Sequence, residues 1–306
     1  MRHRIGEARS LLALGIGVFA ISWAAIFVRL ADEAPALTIA AYRMLFAAAV
    51  VATLAAISIT LRRDRFPPWG RWPLLALSGA FLAGHFWSWF ASLERTSVGS
   101  SVVIVAMQPL LGALLGFLFL GERPSRNEYY GIVLGSAGVI VIGSGDLAGN
   151  PEALAGDALA LLGGFFHAAY RTVGRHLRAE TSATVYSAAV YIVAAALLWA
   201  LVAVVGAETH GFSGETWTYL ILLALVPQVI GHTTLNWALA HFRIVAVGIA
   251  NLGEPVLATL LAIPILDERP GAALLAGAPL VMAGLLIGLR RNQSVTSSQG
   301  LPRHSR

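Results

Sequence analysis

"QPLLGALLGFLFLGERP", residues 108–124, and "EPVLATLLAIPILDERP", residues 254–270, follow one plan 146 residues apart. Each opens with a polar residue and a proline, continues as an apolar run, and closes on Glu-Arg-Pro. The same shift overlays Leu93 on Leu239, Pro109 on Pro255, Leu111 on Leu257, Leu114 on Leu260, Glu122 on Glu268, Gly131 on Gly277 and Gly138 on Gly284. Apolar and glycine coincidences are common in so apolar a chain. A proline followed 13 residues later by Glu-Arg-Pro, twice, is not, and it reads as an internal duplication. Locally the tetrapeptide needs only a modest explanation: proline ends a helix while the carboxylate and arginine solvate its end. Neither Glu122 nor Glu268 is a choice for substrate chemistry.

The surrounding chain is written for a bilayer. Of its 306 residues 57% are hydrophobic and 12% charged, with a mean hydropathy of +0.73, far from soluble averages. Apolar stretches that could each cross about 30 Å of hydrocarbon fall at 11–30, 36–61, 73–92, 98–120, 128–144, 154–170, 184–206, 216–240, 245–266 and 271–289. The expectation is an all-α polytopic membrane protein of ten transmembrane helices, since closed helices satisfy their own backbone in lipid. The first stretch has no clear small-residue cleavage site and reads as a span, not a signal. The chain has no cysteine, which removes disulfide and thiol chemistry.

All 21 basic residues are arginine. With the N-terminus in the cytoplasm, 17 fall on that side, among them Arg123, Arg126, Arg171, Arg175 and Arg178, and only Arg29, Arg95 and Arg269 fall outside. This asymmetry follows the positive-inside rule, places both termini in the cytoplasm, and explains the net charge of +5 without nucleic acid. Five spans per half is an odd number, so the second half enters the membrane from the opposite side and the repeats are inverted. The expected organisation is an N-terminal segment 1–10, repeats over 11–146 and 147–291, and a disordered cytoplasmic tail, 292–306. Inverted repeats characterise secondary transporters whose site lies between them near the midplane.

Two five-span halves, each with Pro in its fourth span, a closing Glu-Arg-Pro and a glycine-spaced fifth span, resemble the EamA family of the drug/metabolite transporter superfamily over nearly the whole chain. Trp23 and Arg43 fall where that family often has a tryptophan and an arginine. The resemblance, nearest to amino-acid exporters, implies a multi-pass inner-membrane exporter of small metabolites, in contact with lipid and a small-molecule substrate. A monomer suffices for it.

Polar groups at membrane depth are expensive and usually face the protein interior or a watery cavity. In the eighth span Gln228, His232 and Asn236 lie at i, i+4 and i+8, just after Pro227. They read as cavity lining or as interhelical hydrogen bonds. Ser78, His85, Trp89 and Ser92 form a related stripe in the third span. His85 and His232 are groups that could carry a proton near neutral pH, though a neutral hydrogen-bonded histidine is the commoner role. Glu254, beside Pro255 and three residues from Asn251, could stay protonated or carry a proton, or pair with Arg43. Its repeat partner, Gln108, cannot titrate. Arg43 either snorkels to the interface or offers a forked donor to a substrate carboxylate. Trp23, Trp89, Tyr170 and His167 are candidate walls of the pocket, and Pro109 and Pro255 candidate hinges.

These residues suggest a substrate cavity and supply no catalytic set, metal site or cofactor motif. With no lysine in the chain a GxxxxGK[ST] loop cannot occur, and neither HExxH nor GxSxG is present. A membrane enzyme, channel or sensor is the rival class. Within transporters, a small-multidrug type of antiport would usually place a carboxylate in the first span, and none lies between Leu11 and Val28. Phosphorylated sugars would want several cationic groups, where the sequence offers Arg43 and histidines. Zwitterionic or neutral solutes match that inventory better.

Overall fold

The computed structural model describes residues 2–95, 101, 104–143, 151–266 and 272–289. The "DERP" stretch at 267–270, the start of the expected fourth span and the tail from 292 lie outside the described residues. Among those described the chain is helical, with no strand.

The helices are α1 (Arg2–Ile21), α2 (Ala24–Leu30), α3 (Ala36–Thr60), α4 (Trp72–Leu93), α5 (Gln108–Leu120), α6 (Arg126–Gly143) and α7 (Pro151–Leu177). There follow α8 (Ala183–Val205), α9 (Gly214–Leu223), a π-helix (Ala224–His232), α10 (Thr233–Ala238), α11 (Ile244–Asn251), α12 (Gly253–Leu266) and α13 (Ala272–Gly288). Among the described residues six helical runs are long and apolar enough to cross a membrane: Ser10–Leu30, Ala36–Thr60, Trp69–Ser92, Ala183–Val205, Gly214–Ala238 and Ile244–Leu266. Ile104–Leu120 and Leu275–Gly288 are shorter apolar helices. Phe119 and Val204 are 74% and 83% exposed, an outer surface suited to lipid and costly in water.

Local chemistry sets several boundaries. Ser182 and Ser213 cap α8 and α9 by accepting from Val185 N and Thr216 N. Ser125 and Glu128 form a capping box at the start of α6, with Ser125 N donating to Glu128 Oε2 at 2.7 Å. Gly121 ends α5 at φ +66°, a left-handed conformation that costs glycine little.

The repeat-related glycines make the closest packing. An added Cβ on Gly131 would stand 2.9 Å from Gly284 O, and one on Gly138 would stand 2.7 Å from Gly277 O. Because Gly277 and Gly284 are the repeat partners of Gly131 and Gly138, these two contacts are one contact seen twice with the halves exchanged. As α6 advances, its partner positions on α13 recede, so the helices run antiparallel. The same exchange relates Gly17 against Gly231, where a Cβ on Gly231 would lie 3.3 Å from Gly17 O, to Gly163 against His85, whose Nδ1 lies 3.0 Å from Gly163 O. Small residues that let backbones approach are the usual means of packing helices in lipid.

One expectation changes. Arg171 and Arg178, counted with the cytoplasmic loop arginines, are 3% and 7% exposed. The apolar run stops near Tyr170, but α7 continues to Leu177. Both arginines are therefore carried inside the bundle, where Arg178 Nε donates to Asn236 O at 2.9 Å.

Candidate substrate cavity

Four interruptions of the helices gather at one level. The break at Ser22 and Trp23 separates α1 from α2, and Ser22 Oγ bonds back to Val18 O at 2.8 Å, a contact that often bends helices. Met107 interrupts the helix just before Pro109, and Leu252 separates α11 from α12 just before Pro255. Pro227 removes one backbone donor inside the π-helix, and Thr233 N donates to Gln228 O, five residues back. Pro109 stands two residues after its break and Pro255 three after its own, where helix direction can change.

Between these breaks lies a cavity of about 40 Å³, lined by Ile21, Ala24, Arg43, His85, Trp89, Val105, Ala106, Gln108, His167, His232, Asn251, Glu254 and Pro255. At about 10–15 Å³ per water it holds a few waters, well below the roughly 300 Å³ at which small-ligand pockets begin. A larger groove of about 860 Å³ between α1, α12 and α13 is walled by residues such as Leu14, Val18, Leu257 and Met282. It offers no polar group to orient a solute.

Arg43 is 1% exposed, so it does not snorkel. Its Nε donates to Gln228 Oε1 at 2.8 Å, its Cζ lies 4.4 Å from the centre of the Phe86 ring, and its Nη1 is buried without a partner. The expected pairing with Glu254 is replaced by this amide: no ion pair among the described residues includes Glu254. Glu254 lines the cavity together with Arg43. Asn251, with its amide turned so that oxygen faces the guanidinium, accepts from Arg171 Nη2 at 2.9 Å and Nη1 at 3.2 Å.

Three histidines from three helices meet here. The rings of His85 and His167 stack with centres 4.4 Å apart, and those of His167 and His232 are 5.7 Å apart. Neither nitrogen of His167 has a partner, and Nδ1 of His232 has none. Trp89 stacks on His85 at 5.7 Å. Among the described residues no group of three or more His, Cys, Asp and Glu side chains could hold a metal ion.

The structure brings Arg43, His85, Trp89, Gln108, His167, His232, Asn251 and Glu254 together and leaves Trp23, Tyr170, Gln228 and Asn236 behind the wall. Trp23 packs between Phe19 and Phe27. Tyr170 donates to Asn236, whose Nδ2 donates to Ser187 Oγ at 3.0 Å. Gln228 serves the cavity only through Arg43. One contributor went unrecognised in the sequence: Arg171, four residues after His167 and so on the same side of α7.

Glu122, which needed only a local role in sequence, ties the halves together. Its Oε1 accepts from Arg175 Nε at 2.9 Å and its Oε2 from Ile244 N at 3.2 Å. It thus joins the ends of α5 and α7 to the start of α11.

A polytopic helical bundle with broken helices around a small cavity, lined by polar and apolar side chains from two related halves, has the construction of a membrane transporter. Residues 9–144 and 154–290 each match the EamA-like transporter family, and the chain belongs to that family. It is 25% identical over 284 residues to a "Probable terminal-alkyne amino-acid exporter" of Streptantibioticus cattleyicolor, covering 89% of this chain and 91% of that one. It is 27% identical over 230 residues to a "Probable amino-acid metabolite efflux pump" of Salmonella typhimurium, covering 71% and 77%. One solved crystal structure superposes with a TM-score of 0.77 at 22% identity, over 92% of this chain and 96% of that one, a likeness of fold.

Proposed function

We propose that this protein is a secondary transporter that exports amino acids or related small metabolites across a bacterial inner membrane by alternating access. Ten helices form two inverted repeats, 11–146 and 147–291, with both termini cytoplasmic. The observation that carries the reading is the small cavity whose walls use repeat-related positions from both halves: Val105 and Asn251, Gln108 and Glu254, Ile21 and His167. A site on a pseudo-symmetry axis is reachable from either face when the halves rock. Two relatives named for amino-acid export or efflux support the solute class.

The test is counterflow of labelled amino acids into proteoliposomes loaded with unlabelled mixtures, with and without a pH gradient, for the native chain, Glu254→Gln and His232→Ala. Substrate-dependent counterflow is expected, and a pH effect lost in one variant names the coupling residue. Folded protein that gives no counterflow with any amino acid or metabolite sinks the reading.

A further inference from the structure

We infer that the recognition element for the solute is a single carboxylate, taken by the guanidinium of Arg43, and that the site does not require an ammonium group on the solute. The inference rests on the transporter reading above and narrows it to amphipathic monocarboxylates, of which amino acids are one kind.

The inventory of fixed charge around the cavity is uneven. Arg43 and Arg171 are two buried cations, and Glu254 is the carboxylate in the lining. Arg171 holds Asn251 with two donors. Among the described residues Arg43 makes no ion pair, and its direct contacts are the Gln228 amide and the Phe86 face, although Glu254 lines the same cavity. A buried guanidinium without an anion is costly, and a donor left unpaired at depth adds to the cost.

The group that removes both costs is a carboxylate. Its planar pair of oxygens matches the guanidinium fork, and the bonds are charge-assisted. Gln228 at Nε holds the fork in one orientation while Nη1 stays uncommitted. An ammonium would raise the positive charge and compete with two arginines for Glu254. Ile21, Ala24, Trp89, Val105 and Ala106 add apolar surface to the same lining.

The experiment uses native protein and four probes with one side chain: phenylalanine, its carboxamide, N-acetylphenylalanine and phenylpyruvate, with a leucine series in parallel. Binding is read as a ligand-induced rise in melting temperature in detergent, and transport as inhibition of counterflow. Members that carry a carboxylate, including those without an ammonium, should act, and the carboxamides should not. Arg43→Gln should weaken the active members by about ten-fold or more, the scale of a lost charge-assisted hydrogen bond, and Arg43→Lys should recover only part, because the charge returns without the fork. Carboxamides as effective as the acids, or action confined to members with an ammonium, overturns the inference and leaves the transporter standing. Counterflow of solutes without a carboxylate, alongside no response to any acid, does the same. Absence of counterflow with every solute removes the transporter reading and this inference with it.

Discussion

Replacing Gly131 with alanine puts a methyl group into the seam where α6 and α13 meet backbone to backbone. Its Cβ would stand 2.6 Å from Gly288 Cα, 2.9 Å from Gly284 O and 3.0 Å from Gly288 N. Carbon atoms rest about 3.5–4.0 Å apart, so the helices must part by about 1 Å. None of the blocking atoms can rotate away, since all three are backbone. Overpacking of this kind typically costs about 1–3 kcal/mol, while alanine in place of a helical glycine returns about 0.5–1 kcal/mol. A net loss of about 1–2 kcal/mol is expected. Gly15→Ala is the matched control: nothing lies within 4 Å of its Cβ, so only the gain of about 0.5–1 kcal/mol remains. Gly131→Ala combined with Gly138→Ala should cost less than the sum, because the first methyl already opens the seam. Reversible unfolding in mixed micelles, followed by circular dichroism, measures all four. If Gly131→Ala is as stable as Gly15→Ala, the close seam is not the native arrangement.

Glu122→Gln weakens a tie whose partners are 13% and 15% exposed, between the surface limit of about 0–1 kcal/mol and the buried limit of about 3–5 kcal/mol for a broken pair. The chain has no cysteine, and at Gly112 only Ile244 Cγ1, at 3.9 Å, nears an added Cβ. A cysteine placed there should react faster with a maleimide in Glu122→Gln than in the native background; equal rates would discount the tie. At the turn between α2 and α3, Glu33 accepts from Ser213 N at 2.6 Å and Thr216 Oγ1 at 3.0 Å, and these bonds, the backbone one foremost, hold its carboxyl below the usual glutamate value. A carboxyl whose folded value lies below its unfolded value contributes stability above the unfolded value and loses it as pH falls through the folded one. The melting temperatures of native protein and Glu33→Gln should therefore converge on acidification, and a gap that stays constant would count against the bond.

The scaffold was legible because its information is linear. Apolar run lengths and the shift that pairs Pro109 with Pro255 need no knowledge of helix rotation. The site was partly legible, because membership depends on rotation and on where helices end. The stripe of Gln228, His232 and Asn236 assumes about 3.6 residues per turn, but residues 224–232 form a wider π-helix around Pro227. His232 reaches the cavity, Gln228 meets Arg43 and Asn236 meets Tyr170. Arg171 was assigned to a loop because hydropathy falls there, although the helix does not stop.

The repeat is kept in the packing and abandoned in the chemistry, and the two facts have one explanation. Seam contacts exchange under the 146-residue shift, Gly131 with Gly284 for Gly138 with Gly277. If the halves rock as proposed, contacts on one face can loosen while their counterparts tighten, so two arrangements of similar energy are available. The cavity's polar groups do not repeat: Arg43 corresponds to Ala189, Arg171 to Ala25, His85 to Gly231, His167 to Ile21 and Glu254 to Gln108. A faithful copy would crowd four guanidinium groups around one small space, at several kcal/mol for each added ion. Alanine, glycine and isoleucine at the counterpart positions avoid that cost, and a solute entering from either face would meet the same single set of charges.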